Sequence, residues 1–190
     1  MKKAIFLDRD GVLNKLVLNP VTQDYEPPHS PKDLVLYPDV IESLRILMES
    51  GFVLFLVSNQ PDYAKGKTTL ENIYSVHSKF DHILTSGGIH FREYYYCYHH
   101  PNGVVPEYSF VCECRKPKPY FLMKAAHDYG IDLKNSWMIG DRDSDIECGK
   151  KAGTQTIMIE EPYSSGSRGS IIPDKFATNL KDALKIIIHN

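Results

Sequence analysis

No apolar run in these 190 residues approaches the ~20 that a membrane-spanning helix needs, so no membrane partner is expected. Cysteine is scarce: Cys97, Cys112, Cys114 and Cys148 are too few for the disulfide scaffold of a small secreted protein. Neither sign of charge dominates, because 22 Lys and Arg stand against 24 Asp and Glu and are spread along the chain. A nucleic-acid partner, which needs concentrated positive charge, is therefore not expected. Internal repeats and low-complexity tracts are lacking as well. The first apolar run opens at residue 3, which leaves no room for a signal peptide ahead of it. A soluble, cytoplasmic, monomeric protein with reduced thiols is expected, and its length suits one domain over 1–190.

What the chain does have is alternation. Short apolar runs at 3–7, 53–57, 93–98, 137–140 and 156–160 read as strands, and the continuous ones suit strands buried on both faces. Helical periodicity lies between and after them, at 39–50, 68–84, 118–130, 144–153 and 179–190, with Gly51 and Gly153 as stops. This order predicts an α/β fold with a mostly parallel central sheet flanked by helices, whose ligands bind beyond the carboxyl ends of the strands. Two stretches fall outside the rhythm: the proline-rich 15–38, read as a loop over one end of the sheet, and 97–116, which interrupts a crossover.

The first strand runs into Asp8 and Asp10, two carboxylates two positions apart, followed by Gly11. By itself a D-x-D after a strand is most often a capped turn. Here the second strand ends in Ser58 and Asn59, the fourth ends in Asp141, Asp143 and Asp145, and "CRKPKP" supplies Lys116. In a parallel sheet these residues converge on one crevice. Such carboxylates can share a hard divalent cation, and magnesium suits oxygen donors completed by water and phosphate. One carboxylate can then act as a nucleophile and the other as an acid and base. Ser58 and Lys116 would stabilise a transferring phosphoryl group.

"FLDRDGVLN", "VSNQ", "KPKP" and "GDRDSD" resemble the four ordered motifs of the haloacid dehalogenase (HAD) superfamily of phosphatases, over about residues 3–160. The resemblance implies a Rossmann-like HAD fold without a large cap. It implies Asp8 as nucleophile, Asp10 as general acid and base, and Mg2+ held by Asp8, Asp141 and the backbone carbonyl of Asp10. Asp145 is read as a brace for its loop.

Cys97-x-His99 and Cys112-x-Cys114 together make a complete tetrahedral donor set for zinc. Four protein ligands leave no open position, so this Zn2+ would be structural, pinning the 97–114 insert and setting Arg115 and Lys116 over the crevice. His100 competes with His99, but alternation along an extended segment puts Cys97 and His99 on one face. The spacing of this set resembles the HAD subgroup that holds heptose-1,7-bisphosphate 7-phosphatases and histidinol-phosphate phosphatases, and the 12-residue gap between His99 and Cys112 is similar to the heptose enzymes. That likeness implies a small sugar phosphate as substrate, contacted by Asn59, Arg115 and Arg142. The alternatives are histidinol phosphate as substrate, or a non-catalytic domain whose zinc loop binds a protein. The departures lie after "NQ", where "PDYAKG" replaces S-G-I-A-R-G. Tyr94 to Tyr96 read as an edge strand, Cys148 as core, and 164–170 as a flexible surface loop.

Overall fold

The computed structural model describes residues 1–189. Its centre is a sheet of six strands: β1 (Ala4–Leu7), β4 (Val53–Asn59), β5 (Glu93–Cys97), β6 (Trp137–Gly140), β7 (Gln155–Ile159) and β8 (Lys175–Ala177). Their spatial order is β5-β4-β1-β6-β7-β8, and every neighbouring pair is parallel. Alternation along β1 feeds two cores. Ile5 and Leu7 face one side, Ala4 and Phe6 the other, and all four are fully buried.

On the first side pack α1 (Val40–Glu49), α2 (Leu70–Ser86) and α5 (Leu180–Ile188), through stripes such as Val40, Leu44 and Leu47. On the second pack α3 (Tyr120–Tyr129) and α4 (Asp143–Ala152), with Leu122, Ala125 and Cys148 in the core. Each apolar stripe recurs every three to four residues, as a helix with one buried face requires. The result is a helix–sheet–helix sandwich whose parallel strands are covered on both faces.

Because β1 lies between β4 and β6, the residues that follow these three strands are spatial neighbours. The chain winds outward from β1 in both directions, the arrangement that opens a crevice at the carboxyl ends.

Three features differ from the sequence reading. β8 was not expected: it has only three residues, two of them exposed, so no period of two can register. The 15–38 stretch holds a small antiparallel pair, β2 (Val17–Leu18) with β3 (Tyr25–Glu26), and a 3-10 turn at Pro31–Asp33. The 164–170 segment is no loose loop, since Pro162–Ser167 form a 3-10 helix and Ser164 is buried, its hydroxyl donating to the Asp141 carbonyl at 3.1 Å. No helix among the described residues is long and apolar enough to cross a membrane.

Candidate active site

Asp8 and Asp10 follow β1, and the chain turns at once through Gly11, whose φ is +84°. Glycine is required there twice over, because a side chain disfavours that backbone and its Cβ would sit 2.5 Å from Asp141 Oδ2. This close approach lets the ends of β1 and β6 present their acids together. Carboxylate oxygens of Asp8, Asp141 and Asp145 all lie within 4.8 Å of one another, and all three residues are buried.

Lys116 enters the cluster from the far side. Its side chain is 2% exposed, with Nζ 2.6 Å from Asp145 Oδ1 and 3.1 Å from Asp8 Oδ1, and it donates to the Val57 carbonyl at 2.6 Å. Burial alone would lower its pKa, but Asp145 and Asp8 outweigh that and raise it, so the ammonium stays charged. Asp145 also accepts from the Arg142 backbone N–H at 3.1 Å, which ties the β6–α4 turn to Lys116. Asp141 is left over. Neither of its carboxylate oxygens accepts a hydrogen bond, and burial, then the like charges of Asp145 and Asp8, push it up to about 8.

Above these acids opens a crevice of about 240 Å³. Asp8 and Asp10 line it together with Lys65, Arg115, Lys116 and Arg142, so both signs of charge meet there. Arg115 donates to the His99 carbonyl at 3.3 Å, and Arg142 Nε lies 3.8 Å from Asp141 Oδ2. Asn59 reaches the crevice, but its amide is engaged with the backbone of Lys116, donating to O at 3.2 Å and accepting from N at 3.1 Å. Ser58 is buried, its Oγ accepting from Gln60 at 3.1 Å.

The 15–38 stretch closes one flank. His29 Nε2 meets Asp62 Oδ2 at 2.8 Å, and Lys67 pairs with Glu26. The bond to Asp62 raises the His29 pKa; burial would raise Asp62, but His29 and nearby lysines hold it below the usual carboxylate range. Tyr25 stacks on Tyr163 with ring centroids 3.6 Å apart.

Beside the crevice, the sulfurs of Cys97, Cys112 and Cys114 are 3.3–3.5 Å apart, and His99 Nδ1 is 3.8 Å from Cys97 Sγ and 3.5 Å from Cys114 Sγ. A tetrahedral zinc with Zn–S near 2.3 Å has ligand edges of about 3.6–3.8 Å, so the set fits that ion with little adjustment. His100 is not part of it; its ring accepts from the Asn102 N–H.

A family model described as HAD-hydrolase-like matches residues 113–183. Over 97% of its length the chain is 35% identical to D-glycero-beta-D-manno-heptose-1,7-bisphosphate 7-phosphatase of Yersinia pestis, covering 94% of that protein. It is 32% identical to the enzyme of the same name from Vibrio cholerae, over 99% of this chain and 95% of the other. The chain belongs to the haloacid dehalogenase superfamily. Its HAD fold superposes with a TM-score of 0.81 on D,D-heptose 1,7-bisphosphate phosphatase from B. bronchiseptica, solved with magnesium and phosphate; that match covers 98% of each chain at 22% identity.

The HAD site in this chain also fits magnesium on its own evidence. Both Asp141 carboxylate oxygens are buried without a hydrogen bond and lie beside two more carboxylates, a set that repels itself unless a cation is shared.

Sequence reasoning missed the groups that hold the site together. Arg9, between the two aspartates, is 1% exposed, and Gln60 is 3% exposed; both bond to Asp10. The one available signal was an arginine inside an otherwise buried run, which needs an anion nearby. The pairings of His29 with Asp62 and of Lys67 with Glu26 join segments over 30 residues apart and had no signal.

Proposed function

We propose that this HAD protein is a phosphomonoesterase that works as one domain on a small phosphorylated sugar. The first substrate is D-glycero-D-manno-heptose 1,7-bisphosphate, hydrolysed at its 7-phosphate. The observation that carries the reading is the meeting of Asp8, Asp141 and Lys116 beneath a small, highly charged crevice. The near-full-length similarity to the Yersinia pestis and Vibrio cholerae phosphatases supports the choice of sugar.

The chemistry follows from the side chains. Asp8, aligned by Lys116, attacks phosphorus, and the bond from phosphorus to the leaving oxygen breaks. Asp10 gives that oxygen a proton, then takes one from the water that hydrolyses the aspartyl-phosphate. Lys116 puts positive charge where the phosphoryl oxygens gather negative charge, and the Ser58 hydroxyl adds a neutral donor. Magnesium, held by the Asp8 and Asp141 carboxylates and the Asp10 carbonyl, would neutralise phosphoryl oxygens when bound. Arg142, Arg115 and Asn59 would contact the rest of the substrate, and the zinc set would keep Arg115 and Lys116 in place.

The rival leaving group, histidinol, would bring an ammonium. Asp24, Glu26 and Asp62 are the acids on the outer crevice wall that could meet it; Glu26 and Asp62 already pair with Lys67 and His29. Kinetics on heptose bisphosphate, histidinol phosphate and a panel of sugar phosphates and nucleotides test the reading. The heptose is expected to give the highest kcat/KM; a histidinol phosphate value well above it overturns the substrate. Asp8→Asn is expected to abolish turnover with the fold intact, and substantial residual activity would contradict its role.

A further inference from the structure

Asp10 is held more completely than any other acid in the crevice. Arg9 lies across its carboxylate, with Nε 3.2 Å from both oxygens and Nη2 at 3.2 Å from Oδ1 and 3.0 Å from Oδ2. Gln60 Nε2 donates to Oδ2 at 2.6 Å, and Asn14 Nδ2 donates to Oδ1 at 2.9 Å. Arg9 Nη2 also donates to Gln60 Oε1 at 3.0 Å, which locks the two holders to each other.

The holders are anchored in turn. The Arg9 guanidinium sits 5.8 Å over the ring of Tyr96 on β5, and the Gln60 backbone N–H donates to the Cys97 carbonyl at 2.7 Å. Neither Arg9 nor Gln60 is part of the crevice wall. A buried ion pair is a weak source of stability, whereas a planar guanidinium fork fixes the direction of a carboxylate.

We infer that Arg9 and Gln60 are positioning residues that aim the Asp10 carboxyl for its two proton transfers. The inference rests on the reading of Asp10 as the acid and base. Two substrates separate the transfers. With an alkyl phosphate, the bond from Asp8 to phosphorus forms as the alkoxide leaves, and the alkoxide takes the proton of Asp10. With p-nitrophenyl phosphate the phenolate leaves as a stable anion and takes no proton. Hydrolysis is then common to both: water adds to phosphorus, the bond to Asp8 breaks, and the water proton passes to Asp10. A misaimed Asp10 therefore slows alkyl transfer and hydrolysis but spares aryl transfer.

The experiment compares Gln60→Met, Arg9→Lys and Asp10→Asn with the unaltered chain, all with magnesium, on heptose 1,7-bisphosphate and p-nitrophenyl phosphate. A misplacement near 1 Å costs about 100-fold. For Gln60→Met, kcat/KM on the heptose is expected to fall about 10- to 100-fold. The aryl kcat/KM should change by less than about 3-fold, with a burst near one phenolate per chain and phosphorylated chain visible by intact mass. Circular dichroism melting checks the fold, and if Arg9→Lys does not fold, Gln60→Met decides alone. Equal losses on both substrates without a burst would mean a structural role and overturn the inference, as would unchanged kinetics. If Asp10→Asn itself shows no burst, the reading of Asp10 fails. If it bursts and the two positioning variants do not, only the inference fails.

Discussion

Replacing Lys116 by methionine keeps most of the side chain's length and removes its charge, leaving Asp8 and Asp145 buried without their shared ammonium. At an effective dielectric near 20, unit charges at the observed 3.1 and 2.6 Å attract by about 5 and about 6 kcal/mol. Stripping water from the ammonium offsets much of that, and deleting one partner of a buried pair costs about 3–5 kcal/mol. The Val57 carbonyl loses its donor in the same change.

Urea unfolding in magnesium-free buffer measures the effect. At about pH 8, Lys116→Met is expected to lose about 3–5 kcal/mol relative to the unaltered chain. The sign of the pH dependence follows from proton binding. Without the ammonium, Asp141 and Asp145, which burial and like charge already push upward, hold protons more tightly in the folded chain than in the unfolded one. The folded variant then binds the extra protons, and its stability must fall as pH rises. The deficit is therefore expected to shrink at about pH 6. A loss below about 1 kcal/mol at the higher pH, or an equal deficit at both, would refute the electrostatic account of the cluster.

The remaining predictions concern neighbouring parts of the site. Cys112→Ser should lower the zinc content of purified protein while magnesium still binds; full zinc occupancy would contradict the clasp. Gly11→Ala puts a methyl into Asp141 and strains a positive φ, so magnesium affinity measured by calorimetry should drop and unfolding should shift by about 1–2 kcal/mol or more. His29 has its pKa raised by Asp62, so the pair's contribution is complete below the ordinary histidine range and is lost as pH rises through the folded value. His29→Gln should accordingly cost about 1 kcal/mol at about pH 5.5 and little at about pH 9, as read by thermal melts.

The acids at the strand tips were legible because each follows an apolar strand, and strand tips of a parallel sheet share one end whatever lies between them. The helices were legible for a similar reason: a stripe such as Val40, Leu44 and Leu47 is a local pattern that one buried face imposes. The zinc set was readable because two short motifs carry all four donors, so spacing alone implies a closed site. Strand β8 was not readable, since its three residues acquire a reason to be extended only when β7 offers an unpaired edge.

Sequence order thus settles which residue types stand at each strand tip, because local patterning and motif spacing need no knowledge of distant segments. The tertiary structure alone decides what each charged group is paired with. Arg9 lies between two aspartates in the chain, yet its orientation depends on Gln60 after β4 and Tyr96 on β5. Lys116 finds Asp145, and His29 finds Asp62, across 29 and 33 positions. Such pairings obey distance in space, and the energy of a buried charge is set by whichever opposite charge the packed fold brings within a few ångströms.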